Sequence, residues 1–259
     1  MEKVSIFGVE VFNVTFNEAF EKIKGFLKED RLHTIMTPNT EIVVDARDNP
    51  KMRDIINSAD LVVADGIGLI YGSKMKKLPL KERVTGFDLS MKMIDLCREE
   101  GYSLFLLGTK PEIVERAYKN LKKDEKLNIV GYNDGYFKGA HLGMGNHEEE
   151  LQVIEKINSL KPDIIFLGMG YPKQELWIEH NKGRLNSKII IGNGGVIDIL
   201  AGVSKRAPEA FIKLNLEWLY RLISDPSRIK RQVAIPKFLY SVIKDKNSVV
   251  VGGKNEHRN

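Results

Sequence analysis

The chain has little of what marks secreted, membrane-spanning or zinc-binding proteins. Its 259 residues include one cysteine, Cys97, so no disulfide can form within the chain, as is usual in a reducing cytoplasm. No run of about 18 apolar residues is present to span a bilayer, and residues 1–4 carry no apolar signal region. No Cys/His cluster has the spacing of a zinc site, and no Ser-His-Asp arrangement can be defended. We therefore expect a cytoplasmic chain without disulfides or structural zinc.

Positive charge is concentrated at the end of the chain. From Ser204 onward there are 12 Lys and Arg against 5 Asp and Glu, a net charge of +7. Because the whole chain carries +5, residues 1–203 carry −2. This asymmetry favours a tail that meets an anionic surface or ligand, although solvated basic tails without a role are common. No recognition-helix, RRM, KH or zinc-finger pattern is present, so we expect no nucleic-acid partner.

Short apolar segments alternate with helix-forming segments over ~200 residues, which predicts an α/β fold. We expect a Rossmann-like, mostly parallel sheet covered by helices on both faces over residues 1–203. A basic, amphipathic helical appendage is predicted over 204–246, and disorder over 247–259. The loop from 137 to 147 contains two histidines but no cysteine, so it is interpreted as a surface insertion rather than a metal site. The predicted strands are 4–7, 33–36, 61–64, 102–107, 127–130, 163–167 and 188–191.

The segment 61–68 combines an apolar strand with a carboxylate at its end. Asp65 follows four apolar residues, and Gly66 and Gly68 allow a tight turn into a helix. Ligands of open α/β sheets bind beyond the carboxyl ends of the strands. Asp65 is therefore a candidate catalytic base that accepts a proton from a substrate. The alternative, left open, is an Asp that caps the following helix.

Other strand ends and loops carry polar candidates. Pro38 stiffens the turn Thr37-Pro38-Asn39, which would hold a hydroxyl and an amide at the end of a strand. Thr and Asn are also ordinary turn and cap residues. Arg83 lies in a loop just before a helix at Phe87, where it either clamps a phosphate or faces solvent.

Two strands end in glycine followed by a proline suited to a first helical turn. These turns are Gly108-Thr109-Lys110-Pro111 and the segment 168–175, and both suit nucleotide phosphates. The second is not a full dinucleotide fingerprint, because Lys173 stands where the third glycine belongs. This argues against a nicotinamide-dependent oxidoreductase. A non-catalytic nucleotide-binding membrane adaptor is a further alternative.

The tail contains a predicted helix from Pro208 to about Ser224. Its apolar arc is too wide for one contact surface, so it should touch the body and also a subunit or a lipid interface. Basic residues mixed with aromatic and aliphatic ones follow between 228 and 244, as in an interfacial segment. An ordinary helix pair packed on the sheet is the alternative.

Five stretches taken together resemble the WecG/TagA/CpsF glycosyltransferases, over about residues 4–246. They are Thr37-Pro38-Asn39, Ala64-Asp65-Gly66, Glu82-Arg83-Val84-Thr85-Gly86, the segment 168–175, and Gly192-Asn193-Gly194-Gly195. The basic tail most resembles the branch that builds wall teichoic acid. The resemblance implies an inverting transfer of N-acetylmannosamine from UDP to the 4-hydroxyl of N-acetylglucosamine on undecaprenyl diphosphate, in β-1,4 linkage. It also implies no cofactor and no metal, since the Asp-x-Asp motif is absent.

The residue roles follow from this reading. Asp65 would be the base, Thr37 and Asn39 would align a sugar, and Arg83 would bind a diphosphate. A lid on the inner face of the plasma membrane would use Arg221, Arg228 and Arg231. A dimer or trimer in equilibrium with the monomer is a further hypothesis, as is another UDP-sugar donor such as N-acetylmannosaminuronic acid. The UDP-sugar would contact Gly108, Thr109, Tyr136, Gly168, Gly170, Gln174, Asn193 and Asp198.

Overall fold

A computed structural model describes residues 1–224 and 234–253 of the chain. Its main sheet has six parallel strands, which confirms the predicted Rossmann-like arrangement. All the predicted strand positions of this sheet are occupied, although the strand before Asp65 is only two residues long. In spatial order the strands are β4 (Leu61–Val62), β3 (His33–Met36), β8 (Ile189–Gly192), β7 (Ile164–Gly168), β5 (Ser103–Gly108) and β6 (Asn128–Asn133).

Helices cover both faces of this sheet, as predicted. Successive residues of β5 alternate between two core clusters: Phe105 and Leu107 face one, and Leu104 and Leu106 face the other. The helices are α1 (Phe16–Phe26), α2 (Thr40–Asp48), α3 (Pro50–Asn57), α4 (Ile67–Met75), α5 (Gly86–Glu100), α6 (Pro111–Leu121), α7 (Glu148–Leu160), α8 (Lys173–Asn181), α9 (Val196–Leu200), α10 (Glu209–Lys213), α11 (Glu217–Ser224) and α12 (Ala234–Lys244).

A second, antiparallel sheet was not predicted. It has the order β2 (Val9–Phe12), β1 (Lys3–Ile6) and β9 (Val249–Val251). The β1–β2 hairpin turns through Phe7 and Gly8, both with positive φ. The prediction of disorder over 247–259 is wrong for residues 249–251, because they pair with residues 4–6. Residues 254–259 lie outside the described part of the chain.

The single tail helix predicted from 208 to 224 is also wrong. The chain forms α10 and α11, separated at 214–216, where Asn215 adopts a positive φ of 59°. Asn tolerates this conformation better than other non-glycine residues, so the polar residue that interrupted the apolar arc marks the break. The boundary between a body and an appendage at 203/204 stays a prediction.

The end of the chain contributes to the main core. Phe238 and Val242 of α12 are fully buried against α4, where a Cβ on Gly72 would come within 2.7 Å of the Phe238 ring. Phe238 also packs edge-on against Phe7, and Val249 of β9 belongs to the same cluster. Removal of the segment after Gly202 would therefore uncover apolar core.

The loop at 137–147 is more firmly anchored than a surface insertion. His141 is buried and packs edge-on against Phe137, and burial lowers its pKa, which favours neutral imidazole. The buried carboxylate of Glu150 accepts the backbone N–H groups of Ala140 and Asn146. The surface interpretation is therefore wrong for His141.

Candidate functional site

Asp65 lies at the carboxyl edge of the main sheet. After β4 the chain continues beside 36–38, with Val63 N–H donating to the Met36 carbonyl and Asp65 N–H to the Pro38 carbonyl. Asp65 does not cap the helix that follows it, since the N-cap of α4 is Gly66, with no side-chain cap bond. Its Oδ2 instead accepts the N–H of Gly86, the first residue of α5, at 3.2 Å. The carboxylate is 32% exposed and so remains reachable from solvent.

The start of α5 explains this contact. The first N–H groups of a helix have no partner within the helix. Thr85 caps α5 by accepting the Asp88 N–H through its hydroxyl oxygen, and Asp65 takes the N–H of Gly86. The positive end of the helix dipole also favours a carboxylate there.

Arg83 is held against the same segment. Its Nε donates to the Asp65 backbone carbonyl at 2.7 Å, and its Nη2 lies 3.8 Å from Asp65 Oδ1. The side chain is only 16% exposed, so the solvent-facing alternative is wrong. The guanidinium is therefore placed beside the candidate base.

Thr37 and Asn193 converge on Gly86. A Cβ at Gly86 would lie 2.9 Å from Thr37 Oγ1 and 3.1 Å from Asn193 Oδ1, so glycine is needed for this approach. Asn193 Nδ2 donates to Ser90 Oγ at 2.6 Å, and the buried Oδ1 has no hydrogen-bond partner among the described residues. The structure thus groups Thr37, Asn193 and Asp65 around one backbone position.

Asn39 has a structural role, as the cap alternative proposed. Its Oδ1 accepts the Ile42 N–H at 3.1 Å and so caps α2. The residue is exposed. A cap through Oδ1 occupies the amide oxygen and leaves the Nδ2 group outside this bond.

The residues predicted for the nucleotide form a second group at the ends of β5 and β7. Thr109 N–H donates to the Gly168 carbonyl at 2.8 Å, and Thr109 Oγ1 donates to Asp198 at 2.8 Å. A Cβ at Gly108 would lie 2.5 Å from the Gly168 carbonyl carbon, so the close approach of the two strand ends requires glycine at position 108. Tyr136 is exposed on the loop whose Gly135 N–H donates to the Thr109 carbonyl.

Gln174 is enclosed rather than open to solvent. Its Oε1 accepts the Gly170 N–H at 3.2 Å, and its Nε2 donates to Glu175 Oε1 at 2.9 Å. Glu175 is almost fully buried, and burial raises its pKa to about 7. Gln174 therefore braces the 168–170 turn, and Glu175, which the sequence did not single out, supports it.

Comparison with known proteins identifies the family. A model described as the Glycosyl transferase WecG/TagA/CpsF family matches residues 4–249. The chain belongs to the WecG/TagA/CpsF family. The N-acetylglucosaminyldiphosphoundecaprenol N-acetyl-beta-D-mannosaminyltransferase of Staphylococcus aureus strain MW2 is 36% identical over 249 residues, or 95% of this chain and 94% of that protein. Proteins of the same name from strains NCTC 8325 / PS 47 and MRSA252 match with the same identity and coverage. The resemblance inferred from the sequence motifs is confirmed.

The tail of this WecG/TagA/CpsF chain reaches the site through a residue that the sequence reasoning missed. Glu217 of α11 forms an ion pair with Arg83 Nη2, and its side chain is 8% exposed. The one sequence signal that marks Glu217 is that it is the only acidic residue between 214 and 223. Arg221 belongs to α11, but its side chain, like all of Arg228 and Arg231, lies outside the described residues.

Neither a metal-binding cluster nor a membrane-spanning helix is found in the described part of this family member. Residues 1–224 and 234–253 contain no group of three or more His, Cys, Asp or Glu side chains placed to hold a metal ion. No helix within those ranges is both long and apolar enough to cross a bilayer.

Proposed function

We propose that the chain transfers N-acetylmannosamine from UDP to the 4-hydroxyl of N-acetylglucosamine on diphosphoundecaprenol, in β-1,4 linkage with inversion. This is a step in building the linkage unit of wall teichoic acid. The names of the similar S. aureus proteins support this donor sugar and acceptor. The observation that carries the proposal is the group formed by Asp65, Thr37 and Asn193 around Gly86, with Arg83 held beside Asp65.

In the reaction, Asp65 takes the proton of the acceptor 4-hydroxyl while that oxygen attacks the anomeric carbon of the donor. The bond from the anomeric carbon to the UDP oxygen breaks, and UDP leaves with the electron pair. Thr37 and the amide of Asn39 hydrogen-bond a sugar, which aligns the attack. Asp65 suits this role because it is anchored to Gly86 and still partly exposed.

The UDP moiety occupies the second group of residues. The helix N-termini of α6 and α8 follow the turns at Gly108 and Gly170, and their dipoles stabilise the charge that develops on UDP. Thr109, Asp198 and Asn193 shape this pocket, Tyr136 covers it, and Gln174 fixes the Gly170 turn. No metal ion is required in this scheme.

Arg83 binds the diphosphate of the donor or of the acceptor, and Arg221, Arg228 and Arg231 complete a lid at the inner face of the plasma membrane. Binding to an anionic membrane surface is supported by α12, on which the exposed Tyr240 and Ile243 lie close in sequence to lysines 237 and 244. Dimers or trimers in equilibrium with the monomer belong to the same proposal.

The identity of the donor is the point to test first. The full chain is incubated with vesicles carrying the lipid-linked N-acetylglucosamine and, in turn, with a panel of UDP-sugars. Mass spectrometry should show one added N-acetylmannosamine. Addition of N-acetylmannosaminuronic acid instead would assign the other donor of the family, and UDP binding without any product would indicate a nucleotide-binding adaptor.

A further inference from the structure

We infer that Glu217 is a positioning residue of the transfer reaction, holding the Arg83 guanidinium beside Asp65 so that the site is complete only when α11 is docked. This inference rests on the proposed function, in which Arg83 binds a diphosphate. It adds a residue of the tail helix to the machinery at the sheet edge.

Among the described residues, two hydrogen bonds hold the Arg83 guanidinium, and their acceptors, Asp65 and Glu217, are far apart in the sequence. Nε donates to the Asp65 backbone carbonyl at 2.7 Å, which alone would leave the planar group free to turn about that bond. The Glu217 carboxylate takes Nη2 and so fixes the plane. A guanidinium has five N–H donors, and the bonds to described residues use two of them, which leaves three toward phosphate oxygens within that part of the chain.

The burial of the pair argues for a specific role. Removing two charges from water is costly, and a buried ion pair often adds little net stability. A pair at 8% and 16% exposure is therefore poorly explained as a means of attaching α11. The neighbouring helix α10 has an ion pair of the ordinary surface kind, Lys213 with Glu209, which is almost fully exposed.

Glu217 also determines how closely Arg83 approaches the base. Nη2 lies 3.8 Å from Asp65 Oδ1 while it is bonded to Glu217. Without Glu217 the guanidinium would close on the Asp65 carboxylate. A carboxylate in a tight ion pair is a weaker proton acceptor. The loss should therefore appear in kcat more than in donor KM.

The test uses the full chain, vesicles with the lipid-linked acceptor, and UDP-N-acetylmannosamine. Glu217→Gln keeps the shape and removes the charge, and we expect kcat to fall roughly 10- to 100-fold, because a small misplacement of a catalytic group has effects of that size. Donor KM should stay within about twofold, because the turns proposed to hold UDP are unchanged and Arg83 keeps its bond to the Asp65 carbonyl. Glu217→Asp, which keeps the charge on a shorter side chain, should have a kcat between those of Glu217→Gln and the wild type. Glu209→Gln is the matched control and should behave like the wild type.

The dependence on Arg83 gives the decisive comparison. In an Arg83→Lys background, Glu217→Gln should lower kcat by a much smaller factor than it does in the wild type, because Glu217 acts through Arg83. The same fold-loss of kcat in the two backgrounds would overturn the inference. The inference would also be overturned if Glu217→Gln had the same kcat as the control Glu209→Gln. A Glu217→Gln variant with a higher kcat and a lower acceptor KM would overturn it too, because Glu217 would then compete with the phosphate for Arg83.

Failure of the proposed function would look different. If the wild-type chain turns over another UDP-sugar, the proposed donor is wrong, and the same comparison is made with the donor that reacts. If no donor reacts under any condition, both proposals fall. Thermal unfolding of each variant, with UDP binding measured by calorimetry, shows that the compared proteins are folded.

Discussion

The carboxylate of Asp65 accepts the backbone N–H of Gly86 at 3.2 Å, and this bond joins the end of β4 to the start of α5. The two residues are 21 positions apart, yet the bond places the carboxylate where Thr37 and Asn193 also converge. The arrangement explains why a glycine opens α5, and it gives the first prediction.

Gly86→Ala should reduce transfer sharply in a folded protein. The added Cβ would lie 2.9 Å from Thr37 Oγ1 and 3.1 Å from Asn193 Oδ1, so these side chains must shift. We expect kcat to fall roughly 100-fold, as for other small misplacements. Gly25→Ala in α1 is the control, since a Cβ there has no heavy atom within 4 Å. That variant should keep full activity and gain about 1 kcal/mol of stability. Normal kinetics of Gly86→Ala would show that the group around Gly86 tolerates displacement.

Asn39 offers a way to separate its cap from its predicted contact with sugar. Asn39→Ala removes the acceptor that caps α2, and it should lower the free energy of unfolding by about 1 kcal/mol as well as kcat. Asn39→Asp keeps the cap oxygen but loses the amide donor. We expect Asn39→Asp to unfold like the wild type and to transfer sugar slowly. Full activity of Asn39→Asp in steady-state assays would restrict the residue to capping.

Glu175 predicts a pH dependence of stability. Its pKa is raised from an ordinary value of 4.5 to about 7, so between these pH values the folded chain holds a proton that the unfolded chain has lost. Stability is therefore highest below the unfolded value and falls as the pH rises through about 7, by about 3 kcal/mol in all.

Glu175→Gln should remove this fall while keeping an oxygen that accepts from Gln174. Urea unfolding at pH 5 and pH 8 measures the difference, and the variant should be the more stable protein at pH 8. Glu21→Gln, in an exposed pair with Lys24, is the control and should leave the pH dependence unchanged. If Glu175→Gln lost as much stability between pH 5 and pH 8 as the wild type does, Glu175 would not be the group that causes the pH dependence.

Much of the fold was readable from local pattern, because strand–helix alternation depends on neighbouring residues. The strand ends next to Thr37, Gly108 and Gly168 lie within one residue of their predicted positions for this reason, whereas β4 ends two residues earlier than predicted, at Val62. What escaped prediction depends on distant parts of the chain. β9 pairs with β1 across more than 240 positions, and Glu217 meets Arg83 across 134.

The side-chain roles were harder to foresee than the strand ends. Whether a polar residue caps a helix depends on where neighbouring helices begin. Asp65 therefore bonds to α5 rather than capping α4, while Asn39 does cap its own helix. His141 likewise looked like a surface histidine, because nothing local indicates that Glu150 draws its loop inward.

The most direct measurement is transfer by Asp65→Asn, which keeps an oxygen for the Gly86 N–H and removes the basic carboxylate. In the vesicle assay with UDP-N-acetylmannosamine, we expect kcat to fall roughly 10²- to 10⁴-fold. Donor affinity by calorimetry and the unfolding midpoint should stay close to those of the wild type. An Asp65→Asn protein that is folded, binds donor and turns over at the wild-type rate would contradict the account.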